Sequence, residues 1–354
     1  MGMTSRDRVL GAIRHQTTDY VPVAPFIGHY AAWFSGIKIK DYITDGRLIA
    51  EAQYRLWEQL QQDVVITAAD TYYIAEAFGL EVHYPDDALP TAGAVPVTDL
   101  KKAASLHIPD PLKDGRMPVY LEAVTELKSL FRGTVAIRGT GTGPFSLAAY
   151  VMGIQDFLTK LMDIETGLAE SWEEAALRGL LDLMSDTLIA FLKAQILAGI
   201  DIAYIGDSLA SMNMISPGMY RSFAYPYHKK VIDAVRQLCQ SYGAHTVLHI
   251  CGDNLAILDD LAATGVDMLD IDSRMNLAEC KRRIGDQVCL VGNLDPVHMI
   301  MEGTVKEVDH AARQCIDQAG EGGGFILSTG CFVPLHTPID NLKQMVTAAR
   351  TRKP

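Results

Sequence analysis

Thr246-Val-Leu-His-Ile-Cys-Gly-Asp253 is an apolar, β-branched run that ends in a histidine and a cysteine two residues apart. Thr246 to Ile250 has the character of a strand buried on both faces, and Gly252-Asp-Asn254 breaks it. Residues two apart on a strand point to the same side, so His249 and Cys251 can offer an imidazole and a thiolate to one ion. A second apolar run, Gly324 to Leu327, leads into Ser328-Thr-Gly-Cys331, and Cys331 completes a three-ligand set. Any one of these residues alone would be an ordinary core residue. All three at strand ends, with a glycine beside each cysteine, point to a metal site. Zinc suits mixed sulfur and nitrogen donors, and three protein ligands leave a fourth position open for chemistry.

Outward from this strand, further β-rich apolar runs lie at 21–27, 64–67, 134–137, 202–205, 268–271, 288–291 and 325–327. Helical patterns separate most of them, including 164–197, 217–242, 255–263, 305–318 and 339–350. An amphipathic N-terminal helix over 4–15, capped by Thr4 or Ser5, precedes the first. Eight strands alternating with helices predict an α/β fold, a (β/α)8 TIM barrel. With 354 residues and 49% hydrophobic content, one such domain, 1–354, can absorb the whole chain. Glu81 through Thr98, with its Pro and Gly residues, is expected to form an inserted arm between strands two and three.

In such a barrel the residue after each strand faces the C-terminal mouth, where sites of this fold reside. Here that set is His29, Asp70, Arg138 with Thr140, Asp207, His249 with Cys251, Asp272, Asn293 with Asp295, and Cys331. Asp272 closes the strand after the His/Cys strand, where its carboxylate can fill a fourth metal position until substrate arrives. With Asp267 and Asp270 it could equally cap a helix. Tyr150, Tyr204, Met212 and Met214 are pocket candidates of types more often found in cores. Gly139-Thr-Gly-Thr-Gly143-Pro144 fits neither a dinucleotide fingerprint nor a Walker loop and is expected to be a tight turn.

The formal charge of -12, with no Lys/Arg run to offset it, argues against a nucleic-acid backbone as partner. Six cysteines without paired spacing fit reduced thiols, with Cys239, Cys280, Cys289 and Cys315 structural. No cleavable leader opens the chain, and no apolar run approaches the roughly 20 residues of a membrane span, so a cytoplasmic protein without a membrane partner is expected.

Several longer stretches carry a resemblance to the uroporphyrinogen decarboxylase superfamily over nearly the full length. They are Gly143-Pro-Phe-Ser-Leu-Ala-Ala-Tyr150, Ile215-Ser-Pro with Phe223-Ala-Tyr-Pro-Tyr227, Val291-Gly-Asn-Leu-Asp-Pro296, and Pro334 through Thr337-Pro-Ile-Asp-Asn341. Within it, His249-Ile-Cys251 and Gly330-Cys331 resemble the zinc ligands of the methylcobamide:thiol methyltransferase branch, whose best-known member methylates coenzyme M. The resemblance implies a TIM barrel that binds Zn²⁺ through His249, Cys251 and Cys331, with Asp272 as an acidic fourth ligand. It implies a methylcorrinoid carried by a partner protein, and a small thiol or methylated substrate. Asp272 and Asp70 would be catalytic, and Tyr150, Asp207, His29 and Asn293 would contact substrate. A substrate thiol would take the place of Asp272 and attack a methyl group carried on cobalt; the reverse transfer uses the same parts.

The decarboxylase branch differs at informative positions. Its arginine-rich stretch after the first strand is matched here by Gly28-His-Tyr-Ala-Ala-Trp-Phe-Ser35, which holds no arginine. It also carries histidine at the position of Cys331. Asp70 and Tyr150 do match its active-site positions, so a decarboxylase-like lyase of tetrapyrrole biosynthesis stays open as an alternative. So does a non-catalytic metal- or corrinoid-binding role.

Overall fold

Short, apolar, fully buried strands alternate with helices because a parallel strand must be covered on both faces. The computed structural model describes residues 2–67 and 70–352. Its strands are β1 (Val64–Ile66), β2 (Val82–His83), β3 (Thr91–Ala92), β4 (Ala136–Arg138), β5 (Ile202–Gly206), β6 (His245–His249), β7 (Met268–Asp270), β8 (Cys289–Leu294) and β9 (Phe325–Thr329). Seven of them form one curled parallel sheet in the order β1-β4-β5-β6-β7-β8-β9, a TIM-barrel-like arrangement. The other two, β2 and β3, pair as an antiparallel hairpin between β1 and β4.

The eighth strand expected over 21–27 is not a strand. Only Val23 makes a ladder bridge, to Leu327 of β9. Pro22 and Pro25 are the reason, since neither has an N–H to donate and proline is excluded from central ladders. The segment still spans the gap between the sheet edges. Leu327 N–H donates to Pro22 O at 2.9 Å, Ala24 N–H to Leu327 O at 2.8 Å, and Asp63 N–H to Val23 O at 2.8 Å.

Two expected helices are each divided. The 164–197 pattern resolves into Ile154–Glu165 and Ser171–Ala198, because Gly167 takes a left-handed φ of 74° and Glu170 with Glu173 forms a capping box that restarts the chain. The 217–242 pattern breaks at Ala224, just before Pro226, into Pro217–Phe223 and Tyr225–Tyr242.

Helix Ser5–Ile13, capped by Thr4 and Asp7, closes one end of the barrel. Its Val9, Leu10, Ala12 and Ile13 share an apolar cluster with Val64, Ala136, Ile202 and Val247 of the strands. Arg6 N–H donates to Thr134 O at 3.0 Å, just ahead of β4, so the helix sits at the strand beginnings. The opposite, C-terminal end is left as the mouth. No helix of the described residues is long and apolar enough to cross a membrane.

Candidate metal centre at the barrel mouth

β6 carries His249 as its last residue, and the chain turns at Gly252, whose φ is 92°. Cys251 lies in that turn, and Cys331 follows β9 two residues after Thr329. His249, Cys251 and Cys331 place their donor atoms within 4.8 Å of one another. His249 Nε2 is 3.2 Å from Cys251 Sγ, which is 3.3 Å from Ser208 Oγ. A tetrahedral ion with ligand bonds of about 2.0–2.3 Å needs donors roughly 3.5 Å apart, and this set fits it. Both cysteines are free thiols, and His249 is buried.

The donors polarise one another. A hydrogen bond from Cys331, opposed by burial and reinforced by His249, holds the Cys251 thiol down to about 3. The same contact pushes the Cys331 thiol up. Burial disfavours a charged His249, but the Cys251 thiolate and Asp270 outweigh it and raise its pKa.

Beneath His249 lies a set of groups that the sequence reading did not single out as its partners. His249 Nδ1 has no hydrogen-bond partner among the described residues and faces Asp270 Oδ2 at 3.8 Å. Arg138 Nη1 approaches the same oxygen at 3.1 Å, while its guanidinium carbon sits 4.0 Å and 4.2 Å from the ring centres of Phe26 and Tyr204. Asp270 is thus oriented toward the ring nitrogen that does not face the cysteines, the usual place for a carboxylate that orients a metal-binding imidazole.

Asp272 is buried nearby but is not part of the donor cluster. Its Oδ2 accepts from Gly252 N–H at 2.7 Å and its Oδ1 from Arg274 N–H at 2.9 Å, so it fixes the turn that carries Cys251. With Cys251 and Cys331 it lines an outer cleft of about 460 Å³. Asp70 lines an inner chamber of about 50 Å³ together with all three donors. Its carboxylate accepts from Arg116 at 2.5 and 3.0 Å and from Tyr120 O–H at 3.2 Å. Phe26 and Phe332, with ring centres 3.9 Å apart, form part of the chamber's wall, and Thr71, Thr140, Thr142 and Ser208 supply hydroxyls.

The other four residues expected to meet substrate line neither space. His29 lies behind Phe332 at 6.0 Å between ring centres, and Tyr150 packs edge-on against Tyr72 at 5.0 Å. Asn293 donates to Asp272 O and Met275 O at 3.1 and 2.9 Å. Asp207 accepts from Phe145 N–H, Ser146 N–H and His228 Nε2 at 3.1, 2.7 and 2.8 Å. It caps helix Pro144–Met152, and Gly143 is required because a Cβ there would collide with the Asp207 side chain.

The chain is similar in sequence and fold to known proteins. MtbA of Methanosarcina acetivorans, a methylcobamide:CoM methyltransferase, is 34% identical over 242 residues, which is 68% of this chain and 66% of that protein. The chain therefore aligns with just under two thirds of that relative's length. A uroporphyrinogen decarboxylase of Aliivibrio salmonicida is 28% identical over 353 residues, covering 97% of this chain and 96% of that one. A solved methyltransferase from Methanosarcina mazei superposes with a TM-score of 0.84 at 25% identity, covering 98% of each chain. The family model for uroporphyrinogen decarboxylase (URO-D) matches residues 4–352, so the chain belongs to the uroporphyrinogen decarboxylase family.

Proposed function

We propose that the chain is a corrinoid-dependent methyltransferase, which moves a methyl group between a corrinoid held by a separate protein and a thiol such as coenzyme M. His249, Cys251 and Cys331 would hold zinc. The observation that carries this reading is the convergence of one imidazole and two free thiols within 4.8 Å at two strand ends. The name of the 34% identical relative supports it. When bound, zinc supplies the Lewis acidity that keeps a thiol substrate as its thiolate near neutral pH.

The chain's own groups prepare that chemistry. Cys251, already favoured as a thiolate, and Cys331 are the soft anionic donors, and His249 presents Nε2 to them with Nδ1 toward Asp270. Phe26 and Phe332 keep bulk water from the inner chamber, and Arg116 holds the Asp70 carboxylate rigidly in its wall. Asp272 is the exchangeable fourth ligand in this scheme, and one of its two N–H contacts would be released when it serves. His29, Tyr150, Asp207 and Asn293 act from behind the wall, shaping the substrate space.

The lyase alternative needs cations for substrate carboxylates. The 28–35 segment has none, and among the described residues no Lys or Arg lines the inner chamber. Elemental analysis should find about one zinc per chain and much less in Cys251→Ala. Methyl transfer from methylcobalamin to a panel of short thiols should need that metal. Equal zinc in both proteins, or decarboxylation of uroporphyrinogen in place of thiol methylation, refutes the reading.

A further inference from the structure

Cys251 and Cys331 line both the inner chamber and the outer cleft, and the two spaces differ in charge. The chamber, about 50 Å³, has one carboxylate in its wall, Asp70, and no lysine or arginine among the described residues. The Arg116 guanidinium behind Asp70 is already bonded to it and to Glu76. The outer cleft, about 460 Å³, is lined by Arg274, which is exposed and makes no side-chain hydrogen bond or ion pair with the described residues. The cleft's other charged groups are engaged. Asp272 accepts from the N–H groups of Gly252 and Arg274, and Asp295 Oδ1 from those of Val297 and His298 at 2.8 Å each. His298 Nδ1 lies 3.1 Å from Glu302. Among the described residues Arg274 is therefore the one cation lining either space that has no carboxylate partner. It is also well placed. In the methyltransferase reading the thiol takes the position of Asp272, which faces the outer cleft and not the chamber. Arg274 stands two residues further on, with its N–H bonded to Asp272 Oδ1 at 2.9 Å, so its side chain springs from beside that position.

We infer that Arg274 is a specificity-determining residue, whose guanidinium receives the sulfonate tail of a short thiol that enters through the outer cleft with its sulfur at the donor cluster. The inference rests on the methyltransferase reading and adds an anchor to it. A guanidinium presents its N–H groups as a planar fork that pairs two oxygens of an oxyanion. In the chamber a sulfonate would give up its hydration with no cation to meet it, and would face Asp70. In the open cleft it keeps part of its water and gains Arg274. An uncharged tail draws nothing from that charge, which makes it the internal reference.

The test is calorimetric titration of the zinc-loaded full chain with 2-mercaptoethanesulfonate and with 2-mercaptoethanol, repeated on Arg274→Ala and Arg274→Glu. The readout is the ratio of the two affinities within one protein, because a merely structural change weakens both thiols together. The unmodified chain should favour the sulfonate at least about fivefold, the size of a charge-assisted pair at a solvent-facing site. Arg274→Ala should bring the ratio to within about twofold of one, and Arg274→Glu should favour the alcohol. Absence of a sulfonate preference in the unmodified chain overturns the inference, as does a preference that persists in either variant. Failure of both thiols to bind the zinc-loaded unmodified chain overturns the methyltransferase reading itself, and the narrower inference falls with it.

Discussion

Two buried His–Asp pairs sit near the barrel mouth, and they are built in opposite ways. His228 and Asp207 have side chains 0% exposed and meet at 2.8 Å. Tyr220 O–H lies 3.2 Å from His228 Nδ1, and two helix N–H groups occupy the carboxylate, so the network is closed. His249 and Asp270 stand 3.8 Å apart, and among the described residues His249 Nδ1, both Asp270 oxygens and two nitrogens of Arg138 find no hydrogen-bond partner. A saturated buried network fixes a structure. On the zinc reading proposed above, the unsaturated one beside two thiols is a network that metal binding would complete.

The closed pair should dominate stability. Asp207→Ala strands three donors in a dry site, so a loss of about 3–5 kcal/mol is expected, read as a lower urea midpoint. A loss under about 1 kcal/mol would break the contrast by showing that Asp207 is not structural.

His29 sharpens the comparison because its buried Nε2 has no hydrogen-bond partner among the described residues. Burial, partly offset by Asp70, lowers its pKa from 6.5 to about 4. Between those values the unfolded chain binds the proton and the native one does not, so stability falls as pH drops from about 6.5 toward 4 and is fully present above. The interval is worth about 3 kcal/mol. His29→Gln should flatten that part of the stability profile measured by urea titration at several pH values; an unchanged slope would mean the ring is protonated in the fold.

Asp270→Asn probes the open pair. If Asp270 orients His249, zinc affinity measured by chelator competition should fall about 10–100-fold, which is about 1.4–2.7 kcal/mol. Unchanged affinity would leave the Arg138–Asp270 pair with a packing role only.

The sequence made one member of each pair legible. His249 announced itself through Cys251, two residues on, and Asp207 through its place after a strand. Their partners were hidden because sequence distance conceals contact. His228 lies in a helical run that looks like any amphipathic surface, and Asp270, on β7 beside β6, reads from the sequence only as a possible helix cap. Seven of the eight predicted strands were legible as apolar runs. The eighth carried its own contrary signal in Pro22 and Pro25. The inner chamber was legible only in part: Asp70, Thr140, Tyr204 and the three donors stood out by their places after strands or as pocket candidates, whereas Thr71, Thr142 and Ser208 are ordinary loop residues until the barrel brings them round one point.

Asp272 gives the smallest expected effect and the finest test of what an open site means. Both oxygens already accept backbone N–H groups, one of them from Gly252 directly after Cys251. In the proposed zinc site, two thiols and an imidazole would provide most of the metal affinity without it. Asp272→Ala should therefore keep most of its zinc, with affinity down less than about tenfold through slackening of the Cys251 turn. Zinc-edge absorption should then show a thiol adding one sulfur neighbour in both proteins, with an oxygen neighbour from the carboxylate lost only in the unmodified chain. If the variant loses its metal outright, Asp272 is a permanent part of the cage and the mouth holds a closed site. If the variant keeps its metal and the unmodified chain shows no carboxylate oxygen to lose, Asp272 belongs with Asp207 among the structural carboxylates, and the open position is set by the three soft donors alone.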